Sequence, residues 1–438
     1  MSLVDYLHGV RSTSRETLKP AILLGVEHPQ AYAAVRGLAV AGVPVEAVTQ
    51  RATRRLGASP YLKTVHRVGP RDEDLLAFLE RHKDRGGVIF PLTDEYMLLA
   101  SKNHEVLSKH YVLTTLPWAT LKPIIDQRLL YVTARACGLN TPVSFTPRDE
   151  ADMKRIVAGL DVNTEAYLLK TFFDAGPANL ALDRFTVIPG MDRASIEAES
   201  MAIYRRNGEF PMIAQVIPGG PERCIGVTML ADHDSKPVFA YAVRRLKLFK
   251  SSRGGHTSFP FEVGANTQCE TIDDPEAIEA ATKLVAATGF VGPIVIEFRR
   301  DPRDNRLVLV KADPRLNASS SLSTDLGVDL AAATYRLFAG LPLPAYPKPR
   351  AGVQWLWLSS YLDAVIRERS YRPMHREFIR GFGHMRRVRS MAYWDVRDPL
   401  PFVMDFVAWT WIRARARAPR GSSDRLKAPA TPSSRTCA

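Results

Sequence analysis

Glu297, Asp313 and Arg315 are the residues of this sequence whose types and spacing most directly suggest chemistry. They lie in the stretch GPIVIEFRRDPRDNRLVLVKADPRLNASSSLSTDLGVDL, residues 292–330. The apolar runs Ile294 to Ile296 and Leu307 to Val310 are short and β-branched, as buried strands are. Between them lies a polar turn, Asp301 to Arg306. A hairpin here brings Glu297 close to Asp313 and Arg315. Two carboxylates can hold a hard cation, and a guanidinium beside them can hold phosphate oxygens. That is the donor set a magnesium–triphosphate site needs.

The surrounding elements must position this hairpin. Residues 20 to about 115 alternate strand and helix: AILLGV, PQAYAAVRGLAVAG, VPVEAVT, DEDLLAFLERHKDRGG, VIFPL, then a helix from Tyr96 to Leu107. Alternation of this kind predicts a parallel, Rossmann-like sheet. The turn at Gly25 lacks GxGxxG, which weakens a dinucleotide reading. LKPIIDQRLLYVTARACG predicts one helix stopped by Gly138, and EAYLLKTFF a strand. PMIAQVIPGG reads as a strand entering a Pro-Gly-Gly turn. ERCIGVTML and PVFAYAVRRLKLF pair as strands. On the second of these, Arg245 and Lys247 alternate and should share a face. PEAIEAATKLVAATGF is an amphipathic helix leading into the hairpin.

Charge and cysteine content narrow the function classes. From Arg367 onward the chain carries 16 Lys and Arg against 6 Asp and Glu, a net +10 of the total +13. A nucleic-acid-binding body would carry that excess in its folded part. The same region holds Trp394, Phe402, Phe406, Trp409 and Trp411, so contact with a membrane surface or a partner is conceivable. The four cysteines form no CxxC pair, the N-terminus lacks a signal-peptide core, and no apolar run reaches transmembrane length. A cytoplasmic protein, peripheral at most at the inner membrane face, is the expectation.

The order of these segments resembles the ATP-grasp ligases. Their metal-binding end reads Glu, a turn, then Glu-x-Asn-Pro-Arg; here Glu297 is followed by Lys311-Ala312-Asp313-Pro314-Arg315. The resemblance implies an ATP-grasp fold with an N-terminal Rossmann-like domain over 1–115. It implies an ATP-grasp domain over 116–348, a helical appendage over 349–415 and a disordered basic tail over 416–438. It also assigns roles. Lys170 and Lys247 would contact ATP phosphates, and Gln215, Val216 and Ile217 would form the adenine hinge. Glu297 and Asp313 would hold magnesium, as one or two ions, with manganese as a substitute. Arg315, Lys311 and Arg245 would act on the transferring phosphate. DAGPAN, residues 174–179, falls where the family has its phosphate-covering flap. His256 in the SSRGGHTSF turn is a candidate to order on substrate.

Three family positions differ, at Gln127, Gln215 and Lys311, with a linked change at Asp313. A charged lysine offers no lone pair and repels a divalent ion, while Asp313, in place of asparagine, adds an anion. The implied activity is an ATP-dependent carboxylate–amine (or thiol) ligase that works through an acyl phosphate on small-molecule substrates. A homodimer is one assembly such a chain could adopt. The alternative is a degenerate relative that binds ATP without turnover and serves a regulatory or scaffold role.

Overall fold

The computed structural model describes residues 18–51, 59–170, 185–187, 192–249, 265–367, 376 and 388–417. The DAGPAN segment, the turn with His256, and the tail beyond Arg417 lie outside the described residues.

Three sheets organise these residues. The first contains β1 (Ala21–Leu24), β2 (Val45–Thr49), β3 (Thr64–Arg67), β4 (Val88–Pro91) and β5 (Val112–Leu113), in the order β3-β2-β1-β4-β5. All its pairings are parallel. Parallel strands need cover on both faces, and the side chains divide accordingly. Leu23, Val45 and Phe90 face the helix Pro29–Val40, whereas Ile22, Leu24 and Val48 face the helices Asp72–Arg81 and Asp94–Lys102.

The second sheet contains β6 (Ser144–Phe145), β7 (Tyr167–Lys170), β8 (Phe185–Val187) and β9 (Met212–Gln215), in the order β6-β9-β7-β8. The helices Glu150–Ala158 and Arg193–Asn207 pack on it through Met153, Val157, Ile196 and Ile203. The segment before it, read from sequence as one helix, is two. The first ends at Ile125, and Asp126 caps the second, Gln127–Ala136, by accepting from the Arg128 N–H at 3.0 Å. Pro123 and a strong capping residue three positions apart explain the break.

The third sheet contains β10 (Cys224–Ala231), β11 (Pro237–Phe249), β12 (Ala265–Ile272), β13 (Gly292–Arg300), β14 (Leu307–Asp313), β15 (Gln354–Leu356) and β16 (Val388–Met391). Its order is β14-β13-β10-β11-β12-β15-β16, antiparallel except for the last pair. The helix Pro275–Thr288 covers one face through Ala277, Ala281 and Leu284 against Ile294, Ile296 and Phe298. The region after residue 349 is helical over Leu358–Arg367 and Leu400–Arg417, and it also adds β15 and β16 to the edge of this sheet.

The last helix is oriented with polar groups inward. Ser359 donates to buried Asp405 at 2.5 Å, and Arg413 pairs with Asp363. Val403, Val407 and Trp411 are about half exposed on the outside, whereas Phe402 packs on the core. Among the described residues no helix is long and apolar enough to cross a membrane.

The helices Pro29–Val40 and Leu330–Phe338 join the first sheet to the rest. Gly37 lies against Asp329, and a methyl group at Gly37 would sit 1.9 Å from Asp329 Oδ2. Asp329 caps its helix by accepting from the Ala332 N–H at 2.8 Å. Burial raises its pKa to about 6, against the hydrogen bonds from Ala332, Thr324 and Ala331 that favour the charged form. Between its ordinary value and about 6 the folded protein therefore binds a proton that the unfolded chain releases. That contribution to stability is complete at low pH and is lost as pH rises through about 6. Asn at this position caps equally well and stays neutral. Asp329→Asn should therefore raise the thermal midpoint at pH 7.5, by a gain on the order of 1–3 kcal/mol that shrinks toward pH 4. A variant no more stable than wild type at pH 7.5 would contradict this account.

Candidate functional site

Register places the hairpin residues on one face. Glu297 on β13 lies directly opposite Lys311 on β14, and Asp313 lies opposite Val295, two residues from Glu297. Side chains two apart on a strand point the same way. Glu297, Lys311 and Asp313 therefore share the face away from the helix Pro275–Thr288. β10 presents Gly226 to that face, paired with Glu297 on one side and Val243 on the other. Having no side chain, Gly226 leaves the gap across which Arg245, two residues beyond Val243, reaches Glu297.

The resulting cluster is a closed set of opposite charges. The Arg245 guanidinium pairs with Glu297 Oε1. Lys311 Nζ lies 2.7 Å from Asp313 Oδ2 and 3.7 Å from Glu297 Oε1, between the two carboxylates. Burial pulls the Arg245 pKa down, but Glu297, Cys224, Asp313 and Cys269 together more than offset it, leaving the guanidinium above its ordinary value. Lys170, at the end of β7, reaches the cluster from the second sheet. It is 9% exposed and donates to the Tyr131 hydroxyl at 2.9 Å, which donates in turn to the Val310 carbonyl, also at 2.9 Å. Burial lowers the Lys170 pKa to about 7; repulsion from Lys311 adds to the shift and Glu297 opposes it. Tyr131 thus ties Lys170 of one sheet to the hairpin of another.

Other expected residues are placed differently. Arg315 donates to Asp94 Oδ1 at 2.7 Å and to the Leu316 carbonyl at 3.1 Å. Asp94 follows β4, at the carboxyl end of the strand beside β1. There the strand order reverses, the position where parallel sheets present polar groups to ligands. Lys247 does not share a face with Arg245. Arg245 pairs with Cys269 and Lys247 with Gln268, so Leu246 is an extra residue. This bulge turns the two side chains to opposite faces. Lys247 is buried, donating to the Tyr361 hydroxyl at 2.8 Å and lying 4.3 Å from the ring centroid. At the hinge, Val216 and Ile217 form a buried apolar wall. The Gln215 and Val216 N–H groups, however, donate to Val143 and Ala166 carbonyls, each at 2.8 Å. Strand pairing thus uses both donors, and an adenine edge would have to be met elsewhere along the hinge.

Asp94, Tyr131 and Gly226 were not anticipated from sequence. Asp94 carried a readable signal, an acid just past a parallel strand. Tyr131 and Gly226 depend on tertiary neighbours and carried none.

The donor set can be tested against magnesium. Among the described residues no group of three or more His, Cys, Asp and Glu side chains is placed to hold a metal ion. Glu297 and Asp313 are both ion-paired, and an ammonium lies between them. Two unit charges ~4 Å apart at an effective dielectric of ~20 interact by about 4 kcal/mol, and a divalent ion doubles that repulsion from Lys311. These residues do not fit a pair of magnesium ions. At most they fit one ion carried in on a triphosphate, drawing most of its ligands from phosphate and water.

No family model matches the chain. One curated relative is the carbamoyl phosphate synthase large chain of Thermomicrobium roseum, 30% identical over 114 residues. That stretch covers 26% of this chain and 11% of the relative's length. Solved structures match much further. The ADP complex of N5-carboxyaminoimidazole ribonucleotide synthetase aligns with a TM-score of 0.59 at 13% identity, covering 82% of this chain and 87% of that one. The biotin carboxylase domain of Hydrogenobacter thermophilus 2-oxoglutarate carboxylase, bound to MgADP, ADP and bicarbonate, gives 0.57 at 14% identity, covering 77% and 74%. The L-amino acid ligase of Bacillus licheniformis gives 0.53 at 15% identity, covering 74% and 75%. At these identities the likeness is one of fold, and the fold is that of the ATP-grasp proteins.

Proposed function

On this ATP-grasp fold, we propose that the chain is an ATP-dependent ligase that activates a small-molecule carboxylate and joins it to an amine or thiol. The observation that carries the proposal is the convergence of Lys170, Lys311 and Arg245 with Glu297 and Asp313. Three cations from two sheets meet two carboxylates on one sheet face. A cation cluster of this kind suits a triphosphate, and phosphoryl transfer depends mostly on placement and charge neutralisation. The terminal phosphoryl group passes to a carboxylate oxygen, giving an acyl phosphate and ADP. The amine then attacks the carbonyl carbon, inorganic phosphate leaves, and the amine proton passes to solvent. Lys170, Lys311 and Arg245 hold the phosphate oxygens while this charge moves. Arg315, beside Asp94, is positioned to take an oxygen of the acyl phosphate. Any divalent ion arrives with the nucleotide and supplies charge neutralisation only.

One observation favours a second reading, a nucleotide-binding protein without turnover. Both carboxylates are already ion-paired within the chain, so the site is complete as a structural network. One experiment separates the readings. The protein is incubated with ATP, a panel of carboxylates and hydroxylamine, which traps acyl phosphates as hydroxamates. Carboxylate-dependent ADP release with hydroxamate formation is expected. ATP binding without ADP release for any carboxylate would establish the second reading instead.

A further inference from the structure

We infer that this chain holds its nucleotide through a built-in cation set, so that ATP binds without a divalent ion. The inference rests on the nucleotide-binding reading above and goes beyond it by naming what replaces the metal. Lys311 carries the argument. Its ammonium lies between Glu297 and Asp313, 3.7 Å from one carboxylate oxygen and 2.7 Å from the other. That is the place between two carboxylates that a bound cation would take. The ammonium is held there by the strand: Lys311 pairs with Glu297 in the β13–β14 ladder, so its side chain rises from the same face as both acids.

Two further cations complete the set. Arg245 reaches Glu297 from β11 across Gly226. Lys170 approaches from β7 and is held by Tyr131. The Lys311 and Arg245 heads already balance the Glu297 and Asp313 carboxylates, and Lys170 beside them adds a further charge once an anion draws a proton onto it, so the cluster favours anions over cations. A free magnesium ion would meet two acids already neutralised and an ammonium at hydrogen-bonding distance from one of them. A triphosphate meets donors already in position, and ammonium and guanidinium groups make strong charge-assisted bonds to phosphate oxygens. Asp313 supports Lys311 in this arrangement, as the nearer of its two carboxylates.

Calorimetric titration with ATP, in excess EDTA and again in excess magnesium, tests the inference. Wild-type protein should bind ATP in EDTA within about threefold of its affinity in magnesium. Lys311→Met should lose about tenfold or more in EDTA, whereas Lys311→Arg, which keeps the cation, should retain most of the affinity. The double variant Lys311→Glu with Asp313→Asn should bind ATP weakly in EDTA and recover in magnesium. Thermal unfolding of each variant shows whether it is folded before it is titrated. If the folded wild type binds ATP in magnesium but loses about a hundredfold in EDTA, the inference is overturned and the nucleotide reading stands. If it binds ATP in neither buffer, both fall together.

Discussion

Lys170→Ala should weaken ATP binding tenfold to a hundredfold, about 1.5–3 kcal/mol for a charge-assisted contact. Lys170 is buried at the end of a strand, and among the described residues its ammonium donates to the Tyr131 hydroxyl. It lies near enough to Lys311 to feel repulsion. Such a lysine is costly for the empty protein to keep, and an arriving phosphate relieves that cost. Its removal should therefore leave the fold intact, or slightly more stable, while affinity falls. Calorimetry on the folded variant checks both halves. Unchanged ATP affinity would remove Lys170 from the site.

Arg245→Ala should destabilise the protein by about 3 kcal/mol. The pair it forms with Glu297 is largely shielded from water, with side-chain exposures of 17% and 15%. Removing one partner of such a pair leaves the other as a poorly compensated charge, and Lys311 at 3.7 Å replaces only part of what is lost. Combining Arg245→Ala with Glu297→Gln removes that charge as well. The double variant should recover much of the loss, with urea unfolding giving both values. A single variant within about 0.5 kcal/mol of wild type would mean that the pair is screened and contributes as little as a surface pair.

Legibility followed the range of the interaction. β13 and β14 were visible as β-branched runs around a polar turn, and the hairpin between them put Glu297 near Asp313, whereas Arg315, expected beside them, reaches Asp94 instead. The parallel first sheet was visible in its strand–helix alternation, except for β3 and β5. Those are short, and β3, Thr64-Val-His-Arg67, has little apolar content. β12 was missed because its interior positions include buried Thr267, Gln268, Glu270 and Thr271, a polar run satisfied by neighbours rather than an apolar stripe. Lys247 was misplaced for a similar reason. A bulge at Leu246 shifts the alternation by one residue, and nothing in RRLKL announces it. The divided helix at Asp126 differs in kind: proline and cap were both present, and the apolar periodicity running through them masked the break.

The Asp94–Arg315 bond makes the first sheet a competitor for the same guanidinium that an acyl phosphate would use. An anion that draws Arg315 away removes one tie between that sheet and the hairpin. By thermodynamic reciprocity, an anion that binds better when the tie is broken must also loosen the tie by the same factor. Anion binding at Arg315 would then be reported 221 residues away in sequence, as faster amide exchange in the helix that begins at Asp94. Conversely, a small molecule that locked that helix in place would act on the proposed ligase reaction as an inhibitor without entering the proposed nucleotide site.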